Sequence, residues 1–177
     1  MKATYILAAA AVGVAVFLIY KSKRMSNVPE YFTRNNIPRP APADLQNFEA
    51  RTLKNLNIIQ DELFKLNPAY KIQIHSIYRN PAQNAATGGA KRSRHMRAAA
   101  VDFSVAGMPA PELHKFLYKL MLSGKIEKGG IGQGARYAHY DWNLEHGGTD
   151  TGGVISTWKY KTDGSNQSYR VSLNTLK

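Results

Sequence analysis

The first pattern in the chain is a largely apolar run uninterrupted by charge, Ala3 to Tyr20, after which polar and apolar positions intermix to the end. That run is close to the shortest that spans a hydrocarbon core of about 30 Å, and no small-x-small cleavage site follows it. It predicts an uncleaved transmembrane helix, with Lys2 before it and Lys21, Lys23 and Arg24 behind it. Pro29, Pro38, Pro40 and Pro42 then mark a linker. From Ala43 or Asp44 to about Leu66, the residues Leu45, Phe48, Leu53, Leu56, Ile59, Leu63 and Phe64 recur at helical spacing, and Asn67-Pro68 stops the helix. Lys71 to Tyr78 alternates as a strand does, and Ala100 to Val105 is a short apolar run suited to a buried strand. Between them, residues 80–94 are rich in Gly, Ala, Asn and basic residues and predict a long ordered loop. A second helix is expected from Pro109 to Leu122, with His114 on its solvated side. Gly129 to Gly132 predicts a turn into a strand at Ala138 to Trp142, and a closing hairpin is expected around Asp163-Gly164.

These elements predict an α+β fold in which an antiparallel sheet is covered by helices, behind an N-terminal transmembrane helix. The domain reading is 1–24 as membrane anchor with basic flank, 25–42 as Pro-rich linker and 43–177 as the folded domain. With 177 residues the chain has room for one such domain. It has no cysteine, which excludes disulfides and thiolate metal sites. The net charge of +12 predicts attraction to polyanions. No nucleic-acid motif accompanies that charge, so no specific nucleic acid is expected as a partner; anionic wall polymers and lipid headgroups suit the remaining features.

The candidate chemistry sits on two strands. His95 stands seven residues ahead of Asp102, and a carboxylate inside an apolar strand is costly unless something pairs with it. His139 and Asp141 alternate along the later strand and so project from one face. Two histidines, an aspartate and a spare carboxylate are the usual parts of a catalytic zinc site, where three protein ligands leave a fourth position for water. The ordered segments Ser76-Ile77-Tyr78-Arg79-Asn80-Pro81, Asn84, Gly88-Gly89-Ala90, Ser93-Arg94-His95, Ala100-Val101-Asp102, Gly129-Gly130-Ile131-Gly132 and His139-Tyr140-Asp141 resemble family M15, the zinc D-alanyl-D-alanine carboxypeptidases and related peptidoglycan peptidases, in particular its M15A branch.

The resemblance implies zinc as cofactor, His95, Asp102 and His139 as its ligands, and peptidoglycan as substrate. It implies that Arg79 faces the site and stabilises substrate or the developing oxyanion, and that Ser76, Tyr78, Asn84 and Ser93 contact substrate. Asp141 is the expected general base; in the alternative, Asp141 binds or orients the metal and Glu145 serves as base. One departure is plain: the family usually has Gly three residues after the first histidine, where this chain has Ala98. The Ala- and Gly-rich apolar segment resembles the exported tethers of some phage lysis enzymes. That leaves two single-pass placements open, a bacterial inner membrane with the domain facing the periplasm and the internal membrane of a virion. The rival reading is a catalytically silent wall-binding or virion membrane protein on the same fold. Oligomeric state is not legible.

Overall fold

The computed structural model describes residues 28–142, 155–161 and 168–170. The expected anchor at 3–20, Glu145 and Asp163-Gly164 lie outside the described residues. Among the described residues no helix is long and apolar enough to cross a membrane.

The chain packs helices against one sheet. A 3-10 turn at Ala43–Leu45 leads into α1, Gln46–Leu66. Then follow β1 (Ile72–Ser76), α2 (Pro81–Ala86), a 3-10 turn at Arg94–Arg97, β2 (Ala100–Val105), α3 (Ala110–Leu122), β3 (Gly130–Gln133), β4 (Ala138–Asp141), β5 (Ser156–Tyr160) and β6 (Ser168–Arg170). The sheet order is β1-β2-β4-β3-β5-β6. The expectation of a wholly antiparallel sheet is corrected: β3 and β5 pair in parallel, and every other neighbour is antiparallel. The physical reason is topological: β4 returns the chain antiparallel to β3, so β5, which follows β4 and pairs on the far edge of β3, starts from the same end as β3 and runs parallel to it.

Periodicity of two divides the sheet. Val101, Phe103, Tyr140 and Ile131 are fully buried on one side, where they join Leu56, Ile59 and Leu63 of α1 and Leu113, Leu117 and Met121 of α3 in a single core. Burying each of these large side chains contributes roughly 1.5–3 kcal/mol. The opposite face carries Asp102, His139 and Asp141.

Four local expectations change. Residues 80–94 are not one loop, because Asn80 caps α2 through a reciprocal capping box with Gln83, and Pro81 at the first helical position is already set for a helix. His114 is fully buried instead of solvated, because β3 covers that side of α3 and the Ile131 carbonyl accepts from its Nε2 at 3.3 Å. Gly130 and Gly132 belong to a strand, not a turn. Finally, the segment expected as a linker packs onto the domain from Tyr31 onward, with Ile37 and Ala41 in the core.

Candidate metal centre

One rung of the sheet assembles the site. Register places Ser76, Asp102, His139, Gly132 and Trp158 side by side across β1, β2, β4, β3 and β5. Residues opposite one another share a face, so these side chains meet on the side away from the core. The β1–β2 ladder shifts register between Ile74 and Ser76, an irregularity that brings Ser76 opposite Asp102. His75 at that irregularity stays exposed, with Nε2 2.9 Å from Ser104 Oγ, and is not among the three grouped donors of the centre.

His95 arrives from outside the sheet. The turn Arg94–Arg97 hangs on the exit of β1: Arg79 N donates to the His95 carbonyl at 3.1 Å, and the Ile77 carbonyl lies 2.8 Å from His95 Nδ1. A carbonyl can only accept, so Nδ1 carries the hydrogen and Nε2 presents its lone pair inward. The turn closes through Ala98 at φ 53°, a left-handed conformation unusual for a residue with a Cβ. Thr52 of α1 donates to the Ala98 carbonyl at 2.7 Å and accepts from Trp142 Nε1 at 2.7 Å, so two core elements grip this turn.

His95 Nε2 lies 3.2 Å from His139 Nδ1 and 3.2 Å from Asp102 Oδ2, and His139 Nδ1 lies 2.8 Å from Asp102 Oδ1. Donor atoms held ~2.05 Å from a tetrahedral zinc ion are separated by roughly 3.3 Å. The three buried side chains are therefore already spaced as the corner atoms of such a site, and the two imidazoles and one carboxylate suit zinc chemically. Each ligand has a fixed partner behind it. His139 Nε2 lies 3.2 Å from Asp141 Oδ2, while Arg94 and the Gly130 amide reach Asp141 Oδ1 at 3.1 and 3.2 Å. Arg79 Nη2 pairs with Asp102 Oδ2, and its Nε donates to Ser76 Oγ at 2.9 Å. Such outer partners fix tautomer and ring orientation.

The pocket over these atoms has a volume of about 450 Å³. Arg79, Arg92 and Arg94 stand on its wall, and Tyr137, Trp158 and Tyr160 form an aromatic side. Trp158 leans on His139, ring centroids 5.3 Å apart. It can do so because β3 is glycine-rich beneath it: a Cβ on Gly130 would come within 2.7 Å of the indole and one on Gly132 within 2.5 Å.

Of the residues expected at substrate, Ser93 lines this pocket. Ser76 and Arg79 line an adjoining cavity. Asn84 is buried under the ligand loop, donating to the Ala90 carbonyl at 3.0 Å, where Gly89 leaves it room. Tyr78 packs half-buried against the core. The aromatic wall is hard to foresee, since Tyr137 precedes its strand and Trp158 reaches the site only through the parallel pairing of β5.

A family model for Peptidase M15 matches residues 30–141, well over half of the chain. The chain belongs to peptidase family M15. No curated protein and no solved structure gives a significant match. M15 peptidases are zinc-dependent metallopeptidases, and the buried group His95, Asp102 and His139 supplies donors that fit that ion.

Charge in the metal-free M15 site is unevenly shared. Burial opposes a cation at His139, yet its hydrogen bonds to Asp102 and Asp141 outweigh burial and raise its pKa to about 9. Burial dominates at His95 and holds its pKa below the ordinary value. Asp102 is buried too, but the neighbouring histidines keep it ionised far below the usual carboxylate range. Zinc and a proton therefore compete for His139 Nδ1. From about pH 6.5 to 8.5, zinc affinity should rise roughly tenfold per pH unit, with about one proton released per ion bound. Chelator competition at three pH values checks this, and a flat profile would refute the charge assignment.

Proposed function

We propose that this M15 peptidase hydrolyses peptide bonds in peptidoglycan stem peptides or cross-links. The convergence of His95 Nε2, Asp102 and His139 Nδ1 at near-tetrahedral spacing carries the reading. Bound zinc supplies Lewis-acid polarisation and a nucleophilic water at neutral pH.

The chain's own residues supply the remainder. Arg79 holds a charged fork at the mouth, where the attacked carbonyl gains negative charge. Burial, reinforced by the charge of Asp102, raises the pKa of Tyr137, which stays protonated and can donate a hydrogen bond to substrate. Trp158 and Tyr160 shield His139 and offer flat apolar surface to peptide or sugar. Proton transfer falls to a carboxylate, Asp141 or Glu145. Asp141 already has both oxygens engaged, and Glu145 lies outside the described residues.

The setting we propose is a phage lysis or virion-associated enzyme tethered by the apolar segment 3–20. The strongly basic composition, +12 overall, supports attraction to an anionic envelope. Incubating the zinc-loaded protein with purified peptidoglycan, with and without chelator, should release peptide fragments whose masses identify the bond. Stoichiometric zinc with no fragments released would favour the silent wall-binding alternative.

Arg79→Lys gives a sharper test at the site. Lysine keeps the charge but not the planar fork, so kcat/KM should fall by roughly 10- to 1,000-fold at saturating zinc, the scale of one lost oxyanion donor. A wild-type rate in that variant would reduce Arg79 to the partner of Asp102.

A further inference from the structure

Among the described residues two large apolar side chains stand out of the surface, Leu66 at 62% exposure and Leu122 at 56%. They are the last residues of α1 and α3. The two helix ends are tied together, because Lys125, just past α3, pairs with Glu62, one turn before Leu66. Pro68 and Ala69 extend this apolar tip in an exposed turn, which Asn67 orders by accepting from the Ala69 amide at 2.9 Å. Lys65, Lys119 and Lys125 are exposed around the tip, and the neighbouring carboxylates Asp61 and Glu62 are paired with Lys65 and Lys125.

The preceding chain joins the domain at this same end. Tyr31, the first residue of the compact unit, packs edge-on against Phe64 with ring centroids 5.2 Å apart. Asn57 clamps the next residue, accepting from the Phe32 amide at 2.7 Å and donating to its carbonyl at 3.0 Å. Residues 21–30 separate Tyr31 from the expected tether at 3–20, a stretch that reaches about 35 Å when fully extended. A bilayer holding that tether is therefore within reach of Leu66. One exposed leucine is ordinary, but a tip with two, ringed by lysines and placed where a membrane tether joins, has the composition of an interfacial contact.

We infer that the end of the domain formed by the last turns of α1 and α3 is a lipid-contacting surface, on which Leu66 and Leu122 enter the headgroup region of an anionic bilayer and the surrounding lysines meet lipid phosphates. The inference rests on the tether reading and adds an orientation to it. Thr52, whose hydroxyl holds the turn that carries His95, lies about 21 Å from Leu66 along α1, at 1.5 Å per residue. Docked by its α1 and α3 ends, the domain keeps its metal centre about that far from the lipid and turned towards what lies beyond it.

The chain has no cysteine, so single cysteines can carry an environment-sensitive fluorophore on the full chain. Leu66→Cys and Leu122→Cys probe the surface, and Gln46→Cys, exposed at the opposite end of α1, is the control. Each labelled chain is mixed with vesicles of equal parts phosphatidylcholine and phosphatidylglycerol and recovered by flotation. Emission from positions 66 and 122 should move to shorter wavelength and be quenched by headgroup nitroxide lipids, while position 46 stays as in water. The shifts should shrink on phosphatidylcholine alone and in high salt, which screens the lysines. Flotation with positions 66 and 122 as water-exposed as position 46, or equal shifts at all three, refutes the surface and leaves the tether. No flotation on either vesicle refutes both. Shifts that appear in detergent and grow with protein concentration overturn the lipid assignment in favour of a second copy of the chain.

Discussion

His95→Ala loses zinc affinity by at least about 100-fold. Apparent binding free energies of about 10–16 kcal/mol for four-ligand structural sites correspond to roughly 3 kcal/mol per ligand, a factor of about 100. His95 is also the ligand with the least redundancy around it. His139 and Asp102 face each other across one rung and would remain 2.8 Å apart, but without His95 Nε2 they offer only two donor groups. Titration against a chromophoric chelator, with metal content measured after gel filtration, reads the loss directly. Stoichiometric zinc at wild-type affinity would dismiss the three-ligand assignment.

Asp141→Asn separates two roles for one carboxylate. Its Oδ2 faces His139 Nε2, and its Oδ1 takes both Arg94 and the Gly130 amide, so the group stands behind a ligand and holds the ring. Losing such an outer partner should weaken zinc binding by about 10- to 100-fold, because the amide no longer favours the tautomer with its lone pair on Nδ1. Zinc affinity and turnover at saturating zinc must therefore be measured together. Unchanged affinity with turnover reduced on the order of 100-fold would instead make Asp141 the proton acceptor.

The parts of this molecule that were legible in the sequence are those governed by short-range spacing. The i, i+2 alternation of His139 and Asp141 put both on one face, and α1 and α3 followed from their apolar stripes and proline boundaries. What escaped was set by distant chain. Trp158 reaches the site through the parallel pairing of β5, which no local pattern encodes. His114 is buried because β3 covers a helix face whose composition is mixed. Ala41 sits in a proline-rich stretch with the composition of a linker, and only its contacts with Glu49 and Arg34 show that the stretch is held. The α2 capping box was readable in Asn80-Pro81-Gln83, but the glycines that follow pointed to a loop.

The left-handed Ala98 couples three positions energetically. With glycine there, the turn that carries His95 would hold its shape without help, and the Thr52 hydrogen bond would matter less. With alanine, the backbone is strained by on the order of 1–2 kcal/mol and depends on the Trp142-to-Thr52-to-carbonyl chain across the core. Thr52 and Ala98 should therefore be epistatic: Thr52→Val is harmful in this background and far milder once Ala98 is glycine. Alanine at this turn is thereby tolerated only while the α1 threonine is in place.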